Sequence, residues 1–199
     1  MKKSCIATGV FPLALVCCYL KADVKIEGGL SYFLPSSHRV REIYEDGGLN
    51  YHLNLSQTIF SHCDLWLGAN YFSQYGHSLA GDQRTRIRII PVSLGLKYFF
   101  PIKIRRMKGD FYLNGAFKYY FVKIHDESDF VDSHTSKNGL GGVLGFGTYL
   151  YLSRHVFLNF LVDYSIKTFH ASHPHKPNTE GHSLNVGGWD FGGGIGLRF

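Results

Sequence analysis

The sequence predicts an all-β protein, a single eight-stranded antiparallel up-and-down transmembrane β-barrel. Three observations support this fold class. Large apolar residues alternate with small or polar residues along eight segments. The charged residues of those segments lie on the same face as the small and polar residues, opposite the apolar face. Long connectors alternate with shorter ones along the chain. With 199 residues, 45% of them hydrophobic, the chain is long enough for one domain with a real core.

The first 22 residues predict a secretory signal peptide. Lys2 and Lys3 precede an uncharged, largely apolar run, and the small residue Ala22 ends the segment. A retained membrane anchor is the alternative, although the run is short for a spanning helix. We therefore expect a signal peptide at 1–22 and a barrel domain at 23–199. Half of the formal charge of +6 then disappears with the three lysines of the signal, so the sequence does not indicate nucleic-acid binding.

Alternation with a period of two is the main evidence for strands. In one segment Leu49, Tyr51 and Leu53 alternate with Asn50 and His52. Seven further segments repeat this arrangement up to the last residue of the chain. Strict alternation over such lengths is typical of strands that have one apolar face and one mixed face.

The distribution of charge decides which face lines the barrel. An eight-stranded soluble barrel, such as a lipocalin, would place its apolar face inside. Here the bulky apolar residues of all eight strands would overfill so narrow an interior, whereas the small and polar face fits it. We therefore expect lipid on the apolar face and a polar network in the lumen. The expected lumen residues are Lys25, Glu27, Asp64, Lys97, Lys118, Asp163, Asp190 and Arg198.

Connector lengths and aromatic positions give an independent test. We expect four long outer connectors and three shorter periplasmic ones, and such asymmetry marks outer-membrane barrels. Tyrosine and phenylalanine side chains of the apolar face cluster near both ends of the strands, as in interfacial girdles. The predicted outer connectors are 35–47, 73–85, 122–138 and 168–185, and the inner ones are 56–62, 101–110 and 152–155.

The C-terminal segment 192–199 resembles the last strand of small bacterial outer-membrane barrels of the OmpA/OmpX type. Ile195, Leu197 and Phe199 match the alternating apolar pattern that ends in Phe. The resemblance implies that the barrel assembly machinery reads these three residues. It also implies a location in the outer membrane of a diderm (Gram-negative) bacterium, after cleavage of the signal peptide, with no cofactor.

The last outer connector is rich in histidine. His170, His173 and His175 have a spacing that could present imidazoles to a metal ion, yet a solvated loop explains them equally well, and we expect no resident metal. His182 next to Ser183 raises the possibility of a lipid-modifying enzyme. Adjacent residues of an extended segment point to opposite faces, so we expect no enzyme.

Three arginines, Arg84, Arg86 and Arg88, share the outward register of Ile90 where the fourth strand leaves the bilayer. Guanidinium groups at that height could bind the phosphates of lipopolysaccharide. The alternative is a solvated hairpin stem.

The expected function is therefore a non-enzymatic, integral outer-membrane protein with a structural or surface-interaction role. Its expected partners are outer-membrane lipid, lipopolysaccharide, the assembly machinery and a surface or host ligand bound through the loops. A polar network would close the lumen, because eight strands leave room for side chains but for no wide channel. The alternative is a narrow conduit for small solutes or hydrophobic compounds.

Overall fold

A computed structural model of the chain describes residues 23–44, 47–77, 84–104, 107–127, 132–170 and 183–199. The predicted signal peptide lies outside these residues. The strands are β1 (Val24–Pro35), β2 (Gly48–Phe60), β3 (Cys63–His77), β4 (Arg84–Ile104), β5 (Met107–Glu127), β6 (Asp132–Tyr151), β7 (Val156–Ile166), β8 (Thr168–His170), β9 (Ser183–Asn185) and β10 (Gly188–Arg198), and the helix is α1 (His38–Tyr44).

Eight of the strands form one closed antiparallel barrel, which confirms the predicted fold class. The order around the barrel is β1, β10, β7, β6, β5, β4, β3 and β2, so each barrel strand pairs with the barrel strands before and after it, and β1 pairs with β10. The first and last strands close the ring, with Lys25 opposite Arg198 and Pro35 opposite Gly188. Closure gives each of the eight strands a partner on both sides, as the hydrocarbon of a membrane requires.

The two faces of the wall are divided as the alternation predicts. On β4, Leu94 and Leu96 are about half exposed on the outside, while Ser93 and Lys97 are buried inside. On this strand every second residue from Ile90 to Phe100 is apolar and exposed. Ten residues at about 3.3 Å each, tilted by about 40°, give a band about 25 Å tall, the height of the lipid-facing belt of membrane barrels.

The strands are longer than the alternation predicts, so several connector boundaries are wrong. β3 continues to His77 and β5 to Glu127, which moves most of predicted connectors 73–85 and 122–138 into hairpins. Strands β2 and β3 reduce the predicted turn 56–62 to 61–62, and β4 and β5 extend to Ile104 and from Met107 into the predicted turn 101–110. Connector 152–155 is as expected, and 35–47 agrees to within one residue. The physical reason is that ladder hydrogen bonds use the backbone, so pairing continues where the apolar pattern stops.

The first outer connector folds over the end of the barrel instead of remaining irregular. It contains α1, where the Arg41 N–H donates to the Ser37 carbonyl at 3.1 Å, and Val40 of this helix is buried. Gly47, with φ of +123°, returns the chain to β2, and a Cβ there would strike the Phe33 carbonyl. Within the described residues, no helix has the length and apolar character needed to cross a membrane.

Candidate functional site in the barrel lumen

The lumen contains two buried ion pairs near the middle and the periplasmic half of the barrel. Lys25 Nζ lies 2.6 Å from Asp64 Oδ2, and Lys97 Nζ lies 2.5 Å from Glu27 Oε1. All four side chains are buried. They come from β1, β3 and β4, whose inward register brings residues far apart in the chain into one layer. Pairing lowers the cost of placing each charge in a confined interior.

Lys97 is the centre of this layer. Besides Glu27, its ammonium donates to the Tyr149 hydroxyl at 2.8 Å. It also lies 5.3 Å from the centroid of Trp66 and 5.0 Å from that of Tyr112, within cation–π range. Asn54 Nδ2 donates to the same Glu27 oxygen at 2.9 Å. The contacts of Lys97, which lies on β4, therefore reach four other strands across the lumen.

Two further carboxylates, Asp163 and Asp190, face each other across the β7–β10 ladder. Neither has an ion pair among the described residues. Neutral donors bind them instead, as Asn114 Nδ2 donates to Asp163 at 2.9 Å and Asn50 Nδ2 to Asp190 at 2.8 Å. The Ser31 hydroxyl adds a third bond, to Asp190, at 3.0 Å. Amide and hydroxyl donors thus hold these two carboxylates in place of water.

Lys118 and Arg198 complete the eight predicted lumen residues, and they lie in different surroundings. Lys118 is buried, with its ammonium 5.9 Å from the Tyr120 ring centroid. Arg198 keeps the inward register but lies at the periplasmic rim, partly exposed. There its Nη2 is 2.6 Å from Asp23 Oδ2, and its guanidinium is 5.6 Å from the Tyr151 ring centroid. Arg198 therefore belongs to a rim cluster and is separate from the central layer.

Apolar side chains lie inside the barrel on the outer side of this polar layer. Val40 of α1 and Val186, next to β10, pack against inward residues of the outer strand halves, and Ile43 of α1 borders the group. We call this group the outer apolar cluster. Its buried members are Phe33, Val40, Phe72, Ile87, Ile89, Tyr120, Val122 and Val186.

Four aromatic rings fill the periplasmic half of the lumen. Phe99, Tyr112, Tyr149 and Phe157 form this inner aromatic cluster, and the Tyr149 and Phe157 centroids are 4.5 Å apart. Facing glycines make the space, since a Cβ on Gly196 would lie 2.7 Å from Phe157 Cε1. A glycine next to a large side chain leaves room for an aromatic ring inside a narrow barrel.

A small cavity of about 20 Å³ lies within the polar layer, enough for roughly one water molecule. Polar atoms without a protein partner line it, including both ring nitrogens of His52, Trp66 Nε1 and Ser93 Oγ. Within the described residues, the lumen thus consists of an apolar layer, a polar layer with little free space, and an aromatic layer.

The two apolar clusters were missed by the sequence interpretation, which assigned the lumen from its charged, small and polar residues and did not consider the large rings on the same face. Their signal was present: Phe33, Phe72, Phe99, Tyr112 and Phe157 all occupy the charged face. Large rings on the face assigned to a narrow lumen, close to the strand ends, predict aromatic packing inside the barrel at that end.

The remaining predicted residues lie elsewhere. Ile195, Leu197 and Phe199 are exposed on the outer wall, and Arg86 and Arg88 are also on that wall, partly buried. The side chains of Arg84 and His170 are outside the described residues, although their backbones belong to β4 and β8. The other members of the histidine group, His173, His175 and His182, lie outside the described residues entirely, so the metal hypothesis stays a prediction.

A closed eight-stranded antiparallel barrel with an apolar outer wall and ionic side chains inside defines the fold of small outer-membrane β-barrels. Solved structures share it. The outer-membrane protein OprG from Pseudomonas aeruginosa superposes with a TM-score of 0.66 at 18% identity, over 89% of this chain and 96% of that one. The Escherichia coli outer membrane protein W gives 0.54 at 14% identity, over 91% of this chain and 100% of that one.

The outer membrane protein AlkL, solved in DMPC lipid bilayers, also gives a TM-score of 0.54 at 14% identity, over 100% of this chain and 97% of that one. The resemblance to small outer-membrane barrels is therefore confirmed at the level of the fold. No protein-family model matches the sequence. No curated protein matches it either.

Proposed function

We propose that this protein is an integral outer-membrane barrel whose closed lumen conducts no solutes and whose role is structural or surface-interactive. The observation that carries the proposal is the layering of the lumen, with the outer apolar cluster and the inner aromatic cluster on either side of the ion-paired layer. An ion that entered would meet an apolar barrier at each end. The wide lumen of porins depends on 16 or more strands.

The outer-membrane location is supported by the lipid-facing wall and by the fold. Exposed leucine and phenylalanine side chains cover the band between the two aromatic girdles, for example Leu53 at 61% and Phe117 at 74%. A surface of this kind would aggregate in water. Cell fractionation combined with heat-modifiable gel mobility tests the location: the protein should remain with the outer membrane and change mobility on boiling.

The surface role would belong to the outer connectors. The β3–β4 and β5–β6 hairpins extend above the apolar band, and α1 covers part of the lumen opening. Paired strands present backbone and polar side chains at a fixed height, as surface recognition requires. A loss of cell adhesion or serum resistance on replacing residues 78–83 and 128–131 by Gly-Ser turns, with unchanged assembly, would support a surface role over a purely structural one.

Planar-bilayer recording of the refolded barrel separates the closed lumen from a conduit. We expect no discrete current steps from the native protein. A matched variant, Phe99→Ala with Phe157→Ala, removes two rings of the inner aromatic cluster and should increase leakage. Regular steps from the native protein would overturn the closed-lumen proposal and favour the narrow conduit.

A further inference from the structure

The outer wall of β3, β4 and β5 has cations just above the aromatic girdle. Arg88 lies opposite Ser73 on β3 and Lys123 on β5, and Arg86 lies opposite Tyr75 one pleat higher. Ile90, two residues below Arg88, is already part of the apolar band. Two residues along a tilted strand correspond to about 5 Å of height. These cations therefore lie at the level of lipid headgroups.

Contacts with the wall hold Arg86 in place. Its Nε donates to Ser73 Oγ at 3.1 Å, and its guanidinium carbon is 4.8 Å from the Tyr75 ring centroid. Arg88 Nε, in contrast, has no acceptor among the described residues, and Lys123 is exposed. Within the same part of the chain, neither Arg88 nor Lys123 makes an ion pair. The site thus offers a positioned guanidinium and two further cations, Arg88 and Lys123, that no carboxylate of the described side chains neutralises.

Below the cations the same wall has an apolar furrow of about 200 Å³. It forms because Ala69 is small and lies between Leu53 on one neighbouring strand and Val92 on the other. Val92 is four residues below Arg88, about 13 Å along the strand. An acyl chain that descends from a phosphate at Arg88 would therefore reach the furrow.

We propose that Arg86, Arg88 and Lys123 bind a phosphate of lipopolysaccharide and that the furrow at Ala69 receives one of its acyl chains. The inference rests on the outer-membrane location proposed above. Charge complementarity carries it: planar guanidinium groups bind phosphate oxygens in pairs, and the site lies at headgroup height above an apolar groove. Arg84, whose side chain is outside the described residues, is not required.

The test uses purified lipid A, labelled with a fluorophore, and the full barrel refolded in zwitterionic micelles. The double variant Arg86→Gln with Arg88→Gln should weaken lipid A binding at least tenfold. The matched control is Lys103→Gln with Lys108→Gln, which removes two exposed charges that face each other at the periplasmic end of β4 and β5. The control should leave the affinity within about twofold of the native protein.

Competition and furrow variants identify the ligand. Unlabelled lipid A should displace the probe, while dephosphorylated lipid A and phosphatidylglycerol should not. Ala69→Phe should lower the affinity for lipid A several-fold but leave the affinity for the deacylated, phosphorylated sugar unchanged. Heat-modifiable mobility of every variant shows that it is folded.

Three results would overturn the inference: equal losses in the two double variants, equal competition by phosphatidylglycerol, or no lipid A binding by the native barrel. In each of these cases a barrel that still inserts and conducts nothing would leave the proposed function intact. Failure of the native protein to fold into a membrane would instead remove the proposed function.

Discussion

Replacing Lys97 with methionine should destabilise the barrel more than any single change of a surface charge. The substitution removes the cation that lies 2.5 Å from Glu27 and 2.8 Å from the Tyr149 hydroxyl. Glu27 would remain buried without a cation, with Asn54 and Tyr149 as its neutral hydrogen-bond partners. Leaving one partner of a buried pair alone costs about 3–5 kcal/mol. The ratio of folded to unfolded protein should therefore fall by a factor of about 10² or more.

Urea titration of the refolded barrel in micelles measures this change, with the unheated gel mobility reporting the folded fraction. The second substitution, Glu27→Gln, should restore part of the loss in the Lys97→Met background because it removes the unpaired charge. We expect a coupling free energy of about 1–3 kcal/mol between the two positions. Recovery should be incomplete, since the Tyr149 hydroxyl still lacks its donor.

The control for Lys97 is Lys108→Met, which removes an exposed lysine at the periplasmic end. It should change the free energy of unfolding by no more than about 0.5 kcal/mol. The reasoning would be refuted if Lys97→Met had an equally small effect, or if the two lumen substitutions were additive.

The other predictions concern glycine packing and the lipid-facing belt. Gly196→Ala should cost about 1–3 kcal/mol, because the new Cβ would strike the Phe157 ring. Gly115→Ala would add a Cβ that makes only an ordinary van der Waals contact on the outer wall. This substitution should be nearly neutral in the same urea titration. In vesicles, Leu94→Arg at mid-height should cost about 2–4 kcal/mol and Phe121→Arg at the outer girdle about 0–1 kcal/mol. Equal costs at these two heights would show that the apolar band is placed wrongly.

The faces of the wall were predictable because lipid and lumen impose opposite requirements on consecutive residues. Along β4, every second side chain from Ile90 to Phe100 is apolar and exposed, and its neighbours point inward. Because side chains alternate with a period of two, assigning the charged residues to the lumen fixes which residues of each strand point inward. Strand number and the barrel class follow from this pattern.

The strand ends and the outer helix were not predictable in this way. β5 continues to Glu127 although the apolar side chains change face beyond Phe121, where Val122 is buried inside and Lys123 is exposed, because its backbone bonds to β4 and β6 do not depend on side-chain polarity. α1 has only seven residues and is stabilised by the burial of Val40. A helix this short gives little periodic signal in sequence, since packing rather than propensity holds it.

The pairing of the lumen charges could not be predicted from the sequence either, because it depends on the register of the strands. Glu27 and Lys97 are 70 residues apart, and they meet because the ring closes between β1 and β10 and places β1 and β4 across the lumen from each other. A one-residue slip in any ladder would exchange inward and outward side chains. Alternation identifies which residues enter the lumen, whereas the partner of each depends on the stagger of all eight strands.

The abundance of asparagine on the inward face follows from the same constraint. Among the described residues of the polar layer, three lysines accompany four carboxylates, and two of the lysines already have a carboxylate partner. A further lysine could neutralise Asp163 or Asp190 but would bring a long chain and another charge into a lumen filled by rings. Asn114 and Asn50 donate to these carboxylates without adding charge. Neutral amides thus supply the hydrogen bonds that a water-filled pore would provide, which is consistent with a lumen that excludes bulk water.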